Sequence, residues 1–176
     1  MGTSVLRPDS NSYVIGSTTY QEITDKYGNP SISREIISNE IKIKHLYYGF
    51  GQLGGGHEKD MGGGRGTNYY FSEGKLVGYK FSSSLEEDHT DFDESLRSQI
   101  RKNVDDRNKV IAIFGPPNGE YIYPVIENKN HKAHIYSYSY VIVPFIGKNK
   151  RFSKELVFTL DENNIVIEIE FTKQTN

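Results

Sequence analysis

The chain has 176 residues, enough for one large domain or two small ones with a real core. Its formal net charge of −2 argues against a nucleic-acid partner, which a clear positive excess would serve. Cys and Trp are absent, which excludes disulfides, thiol catalysis and Cys-based zinc sites, while 13 Tyr and 9 Phe favour sheet.

Residues 1–12 are small and polar with one Pro, as a flexible tether would be. One expectation is that Met1 stands where a mature bacterial lipoprotein carries its lipidated Cys, so that a membrane is met only through that anchor. The first ordered element is a short helix. Thr18 is placed to cap it, Gln21 lies three residues on as a capping box needs, and Gly28 and Pro30 stop it. Residues 41–48 alternate as a strand, with Ile41, Ile43, His45 and Tyr47 on one side and Lys42, Lys44, Leu46 and Tyr48 on the other.

Residues 49–66 hold nine of the 17 Gly and predict a long flexible excursion between two strands. Gly49-Phe50-Gly51-Gln52-Leu53-Gly54 matches the dinucleotide fingerprint formally, but no helix pattern starts there to face a pyrophosphate. His57, Glu58 and Asp60 in this stretch read as solvated side chains rather than metal ligands, because a loop without support pays an ordering cost. A hairpin tip at 71–75 leads into a strand carrying Val77, Tyr79 and Phe81. Residues 82–90 are polar and suit a linker, and Phe92, Leu96 and Ile100 form one stripe of a further helix to about Arg101.

The first pattern then recurs. Asp105, Val110, Phe114, Gly115 and Pro117 match Thr18, Ile23, Tyr27, Gly28 and Pro30 at a spacing of 87. His134-Ile135-Tyr136 matches His45-Leu46-Tyr47 at 89, and Ile167, Ile169 and Phe171 match Val77, Tyr79 and Phe81 at 90. On this reading His45 and His134 are equivalent, hydrogen-bonded structural residues on apolar strand faces.

The opening Ile15-Gly16-Ser17-Thr18-Thr19-Tyr20-Gln21-Glu22-Ile23 with Tyr27-Gly28-Asn29-Pro30 resembles the small outer-membrane lipoprotein domain of the BamE/SmpA type. Its tandem arrangement is similar to that of the β-lactamase inhibitory protein. The second copy departs from the motif at Asn103-Val104-Asp105, and the inhibitor's Cys residues have no counterpart. The resemblance implies an α+β fold of two tandem helix–three-strand repeats, with an antiparallel sheet and the helices packed on one face. The first repeat is expected at 13–81 and the second at 91–176. It also implies a periplasmic, outer-membrane-tethered lipoprotein that binds another protein of the cell envelope, or an inhibitor of a secreted or periplasmic hydrolase.

No nucleophile–base or cofactor motif stands out, so neither catalysis nor a cofactor or metal is expected, and a small-molecule binder remains as a third reading. Glu168 and Glu170 share one strand face but read as the wet side of a sheet. Partner contact is assigned to the second sheet face, at Leu46, Tyr48, Phe50, Ile135, Val141, Glu168 and Glu170. Apolar residues on a polar face mark recognition in some proteins and are scattered surface residues in others, and the pattern alone leaves both open.

Overall fold

The structure is a computed structural model that describes residues 8, 12–55, 61–144 and 147–176. The candidate ligands His57, Glu58 and Asp60 lie outside the described residues.

Helix α1 (Tyr20–Tyr27) is followed by strands β1 (Ile32–Ser38), β2 (Ile41–Gly55), β3 (Met61–Ser72) and β4 (Lys75–Ser83). Two 3-10 segments, Glu86–Asp88 and Glu94–Gln99, lead to α2 (Arg107–Phe114). Strands β5 (Gly119–Ile122), β6 (Lys132–Ile142), β7 (Lys150–Leu160) and β8 (Val166–Thr175) complete the chain. All neighbouring strands pair antiparallel in chain order.

The two helix starts are built alike. Thr19 caps α1 and forms a reciprocal capping box with Glu22, while the Asp106 carboxylate accepts from the Lys109 N–H at α2. Both caps lie one residue beyond the Thr18 and Asp105 expected from sequence. The reason is that those side chains serve the preceding turn. Thr18 Oγ1 accepts from the Val14 N–H, and the Asp105 carboxylate accepts from the Arg101 backbone and guanidinium. The closing glycines, Gly28 and Gly115, have φ of 72° and 75°, where a side chain would be strained.

The expected α+β architecture of helix–three-strand repeats, with helices packed over one face, is overturned. Strand accounts for 50% of the chain and helix for 16%, in an eight-stranded antiparallel sheet that includes a small barrel. Each half runs a two-turn helix followed by four strands. Each helix buries a single residue, Ile23 or Val110, too little to form a layer. The sheet does not stay open either. Strand β6 returns to β3, pairing Met61 with Ile142 and Gly62 with Val141, which closes β3, β4, β5 and β6 into a ring.

Two apolar clusters fill the helix side. Ile23 packs with Leu46, Tyr48, Tyr69, Phe71 and Leu76, and Val110 with Tyr136, Leu156, Phe158, Leu160 and Val166. The helix predicted across Phe92, Leu96 and Ile100 is a short 3-10 segment, capped at Asp93, and it delivers Ile100 to the second cluster. The Gly-rich stretch is largely strand rather than loop. Gly49, Gly51, Gly64 and Gly66 pair across β2 and β3, and only 56–60 fall outside the description.

Candidate functional site: the groove face of the sheet

Strand residues alternate between two faces, so the one that carries the cores leaves the other to its neighbours in sequence. On β2 the residues between Leu46 and Tyr48 and beyond are Tyr47, Gly49 and Gly51. On β6 Ser137, Ser139 and Val141 alternate with Tyr136, Tyr138 and Tyr140. A groove of about 790 Å³ runs across this face. Tyr47, Asn68, Ser82, Ser139, Ser153 and Gln174 line it, coming from six different strands. Short hydroxyl and amide side chains and bare glycine backbone alternate there with Tyr47, Phe50 and Tyr140 and with the charged Arg65, Lys80, Arg151 and Glu155.

Tyr47 is fixed against this surface. Its ring lies so close over Gly49 and Gly66 that a Cβ at either position would collide with it. The floor is tied across the two halves by an ion pair between Lys80 of β4 and Glu155 of β7, and by a 2.9 Å hydroxyl bond between Ser82 and Ser139. Arg151, exposed on the same face, has no ion-pair partner among the described residues.

The sequence-predicted contact residues scatter. Leu46 and Tyr48 are buried in the first core, where the Tyr48 hydroxyl donates to Gly28 C=O at 2.9 Å and burial pushes its pKa up to about 12. Ile135 is fully buried. Phe50 and Val141 line the groove, half-buried, and Glu168 and Glu170 are exposed beside a second depression that includes Glu127 and His131.

The error at Leu46 and Tyr48 has one cause. The Tyr136 hydroxyl donates to Gly115 C=O at 2.8 Å, the same bond that Tyr48 makes to Gly28. Tyr136 is therefore the counterpart of Tyr48 at a spacing of 88, and His134 matches Leu46 rather than His45. A slip of one residue exchanges the faces of the whole strand. The flanking spacings are those of the structure. Leu76 N–H donates to Thr18 C=O and Val166 N–H to Asp105 C=O, which are offsets of 90 and 87.

The two histidines consequently have different surroundings. His134 is buried with its Nε2 3.7 Å from the Glu120 carboxylate, and that contact holds the Glu120 carboxyl below its usual range. His45 sits on the groove side, one alternation from Tyr47. The groove serines and Arg151 were missed in the sequence. The available signal was Tyr136-Ser137-Tyr138-Ser139, in which the larger residue takes the packed face and the smaller one is left for the groove, which Tyr140 also lines. Among the described residues no group of three or more His, Asp or Glu is placed to hold a metal ion.

No family model matches the chain, and no curated protein matches it. Among solved structures it is similar to one described as a "putative beta-lactamase inhibitor protein" from Streptococcus mutans, with 14% identity, 88% of this chain and 82% of that chain covered, and a TM-score of 0.46.

Proposed function

We propose that this chain is a non-enzymatic protein-binding module of the bacterial cell envelope that receives its partner on the groove face. The supporting observation is the contrast between the two faces. The helix side is filled by the protein's own aromatic cores, whereas the groove side is open and sets Gly, Ser, Asn and Gln among aromatic residues such as Tyr47 and Phe50 and charged ones such as Lys80, Glu155 and Arg151. Short polar side chains let a partner surface approach the sheet closely and offer hydrogen bonds with little side-chain entropy to lose. The resemblance of the tandem arrangement to that of the β-lactamase inhibitory protein supplies a finer reading, in which the partner is a secreted or periplasmic hydrolase. The envelope location and lipid anchor belong to the same proposal.

The test uses the purified chain and its Ser139→Arg/Ser153→Arg variant, immobilised and exposed to envelope and cytosolic extracts. A partner retained from the envelope extract by the original chain and lost by the variant, with the melting temperature unchanged, is the expected outcome. Equal retention by both would remove the groove from the account. Inhibition across a panel of β-lactamases and proteases separates the finer reading from the coarser one.

A further inference from the structure

We propose that His45 is an acid-sensitive latch on the edge strand: neutral, it holds Arg34 and with it β1 against β2, and protonated, it releases Arg34 and lets β1 open. The proposal does not depend on what the groove binds.

The geometry fixes the protonation state. Arg34 Nε donates to His45 Nδ1 at 3.0 Å. A guanidinium has only donors, so Nδ1 must present a lone pair. The ring proton is then on Nε2, which lies 2.9 Å from Asn68 Oδ1 and donates to it. The ring stacks on Tyr70 at 4.9 Å and 13°, and Tyr121 meets Tyr70 edge-on from behind. His45 is 4% exposed, so water does not take over these roles.

The groups that face it are Arg34 from β1, Asn68 and Tyr70 from β3, and Lys80 from β4, with Tyr121 of β5 behind and Tyr47 adjacent on its own strand. The charges that act on it, Arg34 and Lys80, are both cationic. An imidazolium here would turn the Nδ1 acceptor into a donor pointed at a guanidinium. Burial first, then these two cations, draw the His45 pKa below its ordinary value, against the opposing pull of Asn68.

The sign follows from linkage. The folded chain binds this proton more weakly than the unfolded chain. The contribution is therefore complete above about pH 6.5 and is lost as pH falls from there through the folded-state pKa. The loss is felt at the start of β1, because this strand has one strand neighbour and its other end is tied separately, Ser38 Oγ and Asn39 Nδ2 donating to Pro124 C=O, so that Arg34–His45 is the side-chain tie on the part held by the β2 ladder. Ile32, on the same strand, pairs with Tyr47, so an opened β1 alters the near wall of the groove.

The test combines histidine-ring NMR with amide exchange on the full chain between pH 7.5 and 5. His45 is expected as the Nε2–H tautomer at pH 7.5, titrating below about 6.5. Protection of the β2-bonded amides in 32–38, taken relative to β7, is expected to fall at least about tenfold at pH 5. In His45→Gln, whose amide oxygen can still accept from Arg34, that relative fall disappears. In Arg34→Met it also disappears, and the His45 pKa moves up, so the second variant decides the matter should the first not fold. Titration at or above about 6.5, or the same relative fall in either variant, overturns the latch.

Discussion

Gly119 has no room for a methyl group. A Cβ there would stand 2.7 Å from Tyr79 O, 3.0 Å from Ile135 Cβ and 3.1 Å from Lys80 Cα, and those atoms belong to the two strands, β4 and β6, that flank β5. Gly51, on the groove face, would meet nothing within 4 Å. Gly119→Ala should therefore lower unfolding free energy by about 1–3 kcal/mol, as overpacking does, while Gly51→Ala stays within about 0.5 kcal/mol of the original chain in the same urea titration. Equal effects would mean that β4, β5 and β6 do not converge as described. Sequence alone could not rank these two glycines, because the crowding at Gly119 comes from residues about 40 positions before and 16 after it. The helix stops at Gly28 and Gly115 were legible, since their neighbours in sequence create the need for positive φ. The caps were misplaced by one because Thr18 and Asp105 had better offers from Val14 and Arg101. The slip at Tyr47 and Tyr48 was of the same kind. Both are tyrosines, and only the bond to a helix-closing glycine tells them apart.

At the scale of elements, the segment expected to link the halves is held tightly. Ser83, Ser84, Leu85, Asp88 and Thr90 are all buried. Arg65 of β3 reaches across to Asp88 at 3.0 Å and to Glu87 at 2.6 Å, with the Arg65 and Asp88 side chains 10% and 6% exposed. The Ser83 hydroxyl donates to the same Asp88 carboxylate and accepts from the Leu85 N–H, and the Thr90 hydroxyl donates to Ser83 C=O. Polar composition reads as solvated in a sequence, but here the polar groups satisfy one another out of water. Arg65→Met would leave Asp88 buried without its cation and should cost about 3 kcal/mol, with Arg65→Met/Asp88→Asn recovering part of it. A loss under about 1 kcal/mol for Arg65→Met would show that the segment is held by something other than this pair. The Gly-rich arms of β2 and β3 were misread for a related reason. Glycine weakens a strand on its own, but the long hairpin gains the backbone ladder from Gly49–Gly66 to Gln52–Gly63 and the Tyr47 ring laid over it.

For the molecule as a whole, the decisive contacts are the least local ones. The pairing of Met61 with Ile142 and of Gly62 with Val141 brings together positions 81 and 79 apart, and nothing periodic in either strand announces it. Where β5 is too short to keep β4 and β6 bridged, Asn118 takes its place. Asn118 C=O accepts from the Phe81 N–H, and its side-chain amide exchanges two bonds with Ser137, at 2.7 and 2.9 Å. The Lys80–Glu155 pair and the Ser82–Ser139 bond cross the same seam on the groove side. Closure thus shapes the groove while the helices only plug their own cores, and this is why the architecture read from the repeat was wrong even where its spacings held. The proposed function requires that a partner meet the groove face and not the helix side. Photo-crosslinking with benzoylphenylalanine placed at Gln174, in the groove, and at exposed Asn108, on α2, tests that choice in envelope extract. Adducts from Gln174 alone are the predicted result; adducts from Asn108 with none from Gln174 would contradict it.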